Sequence, residues 1–137
     1  MQRVTFDTNV LISALTHQGA AARLLTLAGE GSFRLQLSQP ILNETAEVLE
    51  RDFQWPLKSI EEIRILLSCM SQRVTPHVEL DIVKRDPDDN RILECSLASR
   101  SDYLVTSDKD LLDLKQYGGA SIIKPIEFLA LLSERGR

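Results

Sequence analysis

Cysteine and histidine are scarce, with two of each in 137 residues. Cys69 and Cys95 lie far apart in helix-like patterns. This predicts buried free thiols rather than a disulfide, and a reducing cytoplasm as the location. His17 and His77 are isolated. That excludes a zinc cluster, and no Ser-His or Cys-His nucleophile pair is in sight. Long apolar runs are missing too, so no membrane span is expected. Charged and polar residues interrupt the N-terminus from Arg3 onward, unlike a signal peptide. There is no Walker loop and no G-x-G-x-x-G, which disfavours ATP and dinucleotides. A basic excess is also lacking: the formal net charge is −4. Simple wrapping of nucleic acid by a positive surface is therefore disfavoured. A nucleic-acid enzyme with acid in its pocket and base on its rim is not.

What is present is an ordinary globular composition, 43% hydrophobic and 26% charged, long enough for one domain with a proper core. The expected domain is 1–137. Val4 to Phe6 reads as a buried strand that stops at Asp7, and a helical pattern through Val10, Leu11, Ala14 and Leu15 follows at once. Ala20 to Ala28 is a second helix, stopped by Gly29 and Gly31. Phe33 to Leu37 alternates as a strand, and Pro40 opens a helix through Ile41, Thr45, Val48 and Leu49. After Trp55-Pro56, Ser59 and Glu62 read as a capping box for the next helix. Arg73 to Thr75 is a short strand candidate, followed by a polar loop. A helix from Asp89 to about Arg100 comes next, then a buried strand at Tyr103 to Thr106 and a short helix with Leu111 and Leu112. Gly118-Gly119 ends that unit. Ser121 to Ile123 is the last strand, and Pro125 starts the last helix. This alternation predicts an α/β fold of three layers, a central parallel sheet of four to five strands between helices.

Helical periodicity separates four acids from the rest. Asp7 ends the first strand. Glu44 lies three residues from Ile41 and four from Val48, at the edge of an apolar stripe that Glu47 and Glu50 oppose. Asp89 precedes Ile92 and Leu93 by three and four residues, and Asp108 stands in the same relation to Leu111 and Leu112. Asp88, Asp110 and Asp113 point away by the same arithmetic, and Asp86 falls in the loop. N-terminal capping would explain any one of the four. It explains less well four that share an inward direction and one sheet edge. Such crowding favours protonation unless a cation intervenes. Oxygen ligands without His or Cys select Mg²⁺ or Mn²⁺. A site of this kind handles phosphates, with water as the attacking group.

The chain resembles the PIN-domain proteins, most closely the small prokaryotic toxins of toxin–antitoxin pairs. The resemblance rests on Phe6-Asp7-Thr8-Asn9-Val10-Leu11-Ile12-Ser13-Ala14, Ser38 to Glu44, Asp86-Pro87-Asp88-Asp89-Asn90, and Leu104-Val105-Thr106-Ser107-Asp108-Lys109-Asp110-Leu111-Leu112. It implies a central first strand and an Mg²⁺- or Mn²⁺-dependent endoribonuclease site. It also implies metal ligands at Asp7, Glu44, Asp89 and Asp108, with Asn9 and Thr106 orienting the acids. The resemblance also implies Asp110 as a further acid, supporting the ligands from behind. The implied partners are an RNA substrate, an antitoxin and a second copy in a homodimer. Leu66, Met70 and the Trp55 region are either dimer surface or core. Lys84, Arg85, Arg91 and Lys109 flank the acids as a basic rim or as their counter-charges.

Two other functions compete. A receiver-like phospho-acceptor domain would have Thr106 and Lys124-Pro125 where they stand, but the first strand lacks an acidic pair and the third candidate strand ends without Asp. A non-catalytic PIN-like binding module would keep the fold and use the acids only structurally.

Overall fold

The computed structural model describes residues 1–135. Its elements run in chain order as β1 (Arg3–Phe6), α1 (Thr8–Thr16), α2 (Ala20–Gly29), β2 (Arg34–Ser38), α3 (Gln39–Phe53), α4 (Leu57–Met70), β3 (Ser71–Val74), α5 (Asp89–Ser99), β4 (Tyr103–Val105), α6 (Lys109–Leu112), β5 (Gln116–Tyr117), β6 (Ala120–Ile123) and α7 (Pro125–Arg135). The sheet order is β3–β2–β1–β4–β6–β5. Five strands are parallel, and β5 pairs antiparallel with β6. The first strand is central, flanked by β2 and β4. A receiver-type order of 2–1–3–4–5 does not fit, because β3 lies outside β2.

Strand alternation sorts the two faces of the sheet. On one, Phe6, Phe33 and Phe128 form an aromatic chain with centroids 5.9 and 5.2 Å apart, and Tyr103 joins Phe128 at 5.2 Å. This is the side on which α2 packs against α1 and α7. On the other, Thr5 and Gln36 are buried beneath α5, which lies across β1, β2 and β3. There the Thr5 hydroxyl lies 2.8 Å from Ser101 Oγ, which in turn lies 2.7 Å from Ser99 Oγ. Buried hydroxyls require such partners. Cys95 is buried in this layer, and burial pushes its thiol up to about 11, so it is an inert core thiol. Cys69 is exposed rather than buried, and both cysteines are free.

Three local expectations change. Ser59 does not cap α4: Pro56 takes the cap position with φ −61 and ψ 146, and the helix begins at Leu57. The fixed proline torsion starts the helix without a side-chain cap. The third strand begins at Ser71, directly after α4, and ends at Val74. Gly118-Gly119 is not a terminator but the two-residue turn of the β5–β6 hairpin, with φ +56 and +89. Positive φ at both positions is what a tight hairpin turn demands. This adds a sixth, antiparallel strand to the sheet of four to five.

The loop of residues 75–88 carries no regular structure but is held firmly to α5. Asn90, 1% exposed, accepts hydrogen bonds from the Ile82 and Val83 N–H groups at 2.9 and 2.8 Å and donates to Val83 O at 2.9 Å. Glu94 accepts from Leu80 N–H at 2.7 Å, and Arg91 donates to Leu80 O at 3.2 Å. Asn90→Ala leaves two loop N–H groups without partners. It should cost about 2–3 kcal/mol in urea unfolding and speed proteolysis within residues 75–88. Unchanged stability and cleavage would show that the loop is held by other contacts.

Candidate metal centre

Parallel strands place their carboxyl ends together, and the loops beyond them form the natural site of an open α/β sheet. Phe6 pairs with Val105 in register, so Asp7 and Thr106 leave adjacent strands side by side. The Thr106 hydroxyl donates to Asp7 Oδ2 at 2.6 Å and accepts from the Asp108 N–H at 2.9 Å. One buried hydroxyl thereby fixes the spacing of two acids. Asp7 is 3% exposed. It starts α1, its Oδ1 accepting weakly from the Asn9 N–H at 3.4 Å. The Asn9 contribution is this backbone N–H; its side chain is exposed.

Asp108 caps α6, its Oδ1 accepting from the Asp110 and Leu111 N–H groups at 2.8 and 3.4 Å. Asp89 begins α5, 5% exposed, and its Oδ2 is buried without a hydrogen-bond partner. Glu44, half-buried in the second turn of α3, faces the fully buried Thr8 hydroxyl, which favours its charged form. That hydroxyl makes no well-aligned hydrogen bond of its own. Glu47, Glu50, Asp88 and Asp113 are exposed, as helical periodicity predicts.

The four acids do not form one tight group. The tightest is Asp86, Asp89 and Asp108, each offering a carboxylate oxygen within 4.8 Å of the others. Asp7 and Glu44 stand around this trio within electrostatic reach. Asp86 escapes a periodicity argument because it lies in a loop. The signal available for it was the Asp-Pro step, which begins the turn that leads into α5, with Asp86 O accepting from the Asp89 N–H at 3.0 Å.

The electrostatics are uniform in sign. Burial raises Asp7, against the Thr106 hydrogen bond, and the Asp108 charge adds to the rise. Burial likewise raises Glu44, against the Thr8 hydroxyl, with Asp88, Asp7 and Asp86 adding to it. Burial together with Asp108, Asp7 and Asp86 pushes Asp89 up to about 8. The flanking cations do not relieve this. Lys84 pairs with Asp81, Arg85 with Asp110 at 3.7 Å, Arg91 with Glu94 at 2.8 Å, and Lys109 with Asp113 at 3.2 Å. Among the described residues, no basic side chain forms an ion pair with Asp7, Glu44, Asp86, Asp89 or Asp108. An all-oxygen donor set, an orphaned buried carboxylate oxygen and mutual charge repulsion together fit a hard divalent cation. A cavity of about 580 Å³ lies elsewhere, between α5 and β3, with Arg3, Gln36, Arg73, His77 and Glu94 in its lining.

Comparison with known proteins identifies the family and the fold. A family model described as PIN domain matches residues 3–110. A chain of the crystal structure of VapBC2 from Rickettsia felis, bound to a DNA fragment from their promoter, superposes with a TM-score of 0.60 at 15% identity. The match covers 90% of this chain and 98% of that one, and establishes likeness of fold. No curated protein matches the sequence closely. Among the described residues, no helix is long and apolar enough to cross a membrane.

The raised Asp89 has a consequence for stability. Its folded-state pKa of about 8 lies above the ordinary 3.8, so the folded state binds the proton more tightly than the unfolded state. Stability of the metal-free protein should therefore fall as pH rises from about 4 to about 8. In EDTA the urea midpoint should be lower at pH 8 than at pH 5, and Asp89→Asn should reduce that difference. Equal pH dependence of the two proteins would remove Asp89 as its source.

Proposed function

Given that the chain belongs to the PIN-domain family, we propose that it is an Mg²⁺- or Mn²⁺-dependent endoribonuclease, the toxin of a toxin–antitoxin pair. The observation that carries this reading is the convergence of Asp7, Glu44, Asp86, Asp89 and Asp108 on one sheet edge, with no basic side chain paired to them among the described residues. Asp7, Glu44, Asp89 and Asp108 would hold the cation. When bound, it would supply Lewis acidity and positive charge for in-line attack of water on an RNA phosphodiester.

The chain's own residues prepare that chemistry. Thr106 Oγ1 holds Asp7 and Asp108 in fixed relation through hydrogen bonds of 2.6 and 2.9 Å. Asn9 supports Asp7 through its N–H, and Thr8 favours the charged form of Glu44. These preset positions avoid reorganisation when substrate arrives. Arg85 and Lys109 are 83% exposed at the rim, Arg85 paired at 3.7 Å with the partly covered Asp110 and Lys109 at 3.2 Å with the exposed Asp113. Surface pairs of that kind are worth little, so both cations are free to exchange their partners for phosphates.

A protein partner is supported by the apolar surface of α4 and its approach. Phe53, Leu57, Ile65 and Leu66 are exposed large apolar residues, with Trp55 beside them. Exposed apolar side chains on one helix and its approach support an interaction surface. We assign it to an antitoxin or to the second copy of a homodimer. Likeness of fold to a VapBC2 chain supports the toxin–antitoxin reading.

The test is cleavage of a labelled single-stranded RNA by the wild type and Asp7→Asn. Wild type should cut only with Mg²⁺ or Mn²⁺ and leave a 5′-phosphate and a 3′-hydroxyl. Asp7→Asn should lose about a hundredfold to a thousandfold in rate, while its melting temperature holds or rises as one repelling charge disappears. Products with a 2′,3′-cyclic phosphate, or full activity in EDTA, would refute the mechanism.

A further inference from the structure

We propose that Asp86 is itself a metal ligand, sharing a cation with Asp89 and Asp108 on the edge where Asp7 and Glu44 also stand. The inference rests on the metal-dependent reading above and deepens it. Sequence periodicity does not reach Asp86, and the family resemblance includes it in a signature stretch without counting it among the ligands; the geometry groups it with Asp89 and Asp108.

The three carboxylates come from separate elements: the loop before α5, the first position of α5, and the cap of α6. Their ligand atoms lie within 4.8 Å of one another. A small divalent ion with cation–oxygen distances of about 2.0–2.6 Å spans oxygens at such separations. Each residue also has an oxygen to give. Asp86 Oδ1 accepts from the Asp88 N–H at 3.2 Å, which leaves Oδ2 uncommitted. Asp108 Oδ1 serves two N–H groups of α6, which leaves its Oδ2. Asp89 Oδ2 is the independent sign of a ligand: it is buried in a residue only 5% exposed and has no partner. A buried carboxylate oxygen left bare carries a desolvation cost that a cation removes. Asp7 is held in place beside them. One of its oxygens is held by Thr106 at 2.6 Å and the other accepts weakly from the Asn9 N–H.

The loop that carries Asp86 is anchored accordingly. The Asn90 hydrogen bonds to Ile82 and Val83 and the Glu94 bond to Leu80 pin it to α5 a few residues before Asp86. Asp86 is exposed, but its position is set on the rigid element that also carries Asp89. A ligand on such support needs little ordering when the ion binds.

The test is calorimetric titration of Mn²⁺ into the wild type, Asp86→Asn, Asp86→Ser and Asp81→Asn. Asn and Ser both keep an acceptor for the Asp88 N–H, so the loop turn survives in each, and melting curves in EDTA check the fold. Asp81 sits in the same loop, paired with Lys84 outside the trio, and its variant controls for loss of one charge. Both Asp86 variants should bind Mn²⁺ at least about tenfold more weakly, the scale seen even for residues behind metal ligands. Asp81→Asn should stay within about threefold of wild type. Wild-type affinity in either folded Asp86 variant would overturn the proposal and leave the nuclease reading standing. Equal weakening in Asp81→Asn would overturn it as a general charge effect. No Mn²⁺ binding by the wild type would overturn both.

Discussion

Carboxylates crowded onto one edge of a parallel sheet repel one another, and the fold exists to hold them there. Burial displaces Asp7, Glu44 and Asp89 upward, and the charges of neighbouring acids add to the rise. The apolar core supplies the opposing stability. Phe6, Leu104 and Val105 are fully buried in the two central strands that end at Asp7 and Thr106, and Ile92 and Leu93 seat the helix that begins at Asp89. Remote burial thus sustains a local electrostatic strain, which is a common arrangement at functional sites.

Rigidity at the edge comes from single polar side chains rather than from many contacts. Thr106 couples Asp7 to Asp108 through one hydroxyl. Asn90, buried at the start of α5, ties down the loop that brings Asp86 forward. Both act across elements distant in sequence. Exposed parts are held less firmly: Arg85 and Lys109 make only single ion pairs, with Asp110 and Asp113, and Leu57, Ile65 and Leu66 of α4 face solvent.

The order of strands and helices was legible because buried parallel strands and amphipathic helices carry strong, different periods. The inward direction of Asp89 and the outward direction of Glu47, Glu50 and Asp88 followed from the same period. Features set by backbone torsion rather than by apolar pattern were less legible. Pro56, not Ser59, starts α4, and Gly118-Gly119 turns a hairpin instead of ending a unit. Asp86 lies where no periodicity operates, so only the folded loop reveals its neighbours. The side chain of Asn9 illustrates the reverse case. The family pattern assigns it to the acids, whereas here its N–H makes the contact with Asp7. Ion pairing of the rim was ambiguous in sequence because Lys84, Arg85, Arg91 and Lys109 all have acids within helical or loop reach.

The central claim is that a cation resolves the repulsion among these acids. Calorimetry of Mn²⁺ binding at pH 7, repeated in two buffers of different ionisation enthalpy, tests it most directly. With Asp89 at about 8 in the metal-free protein, binding should be saturable and should release a proton to the buffer. Absence of saturable binding, or binding with no proton released, would contradict the account.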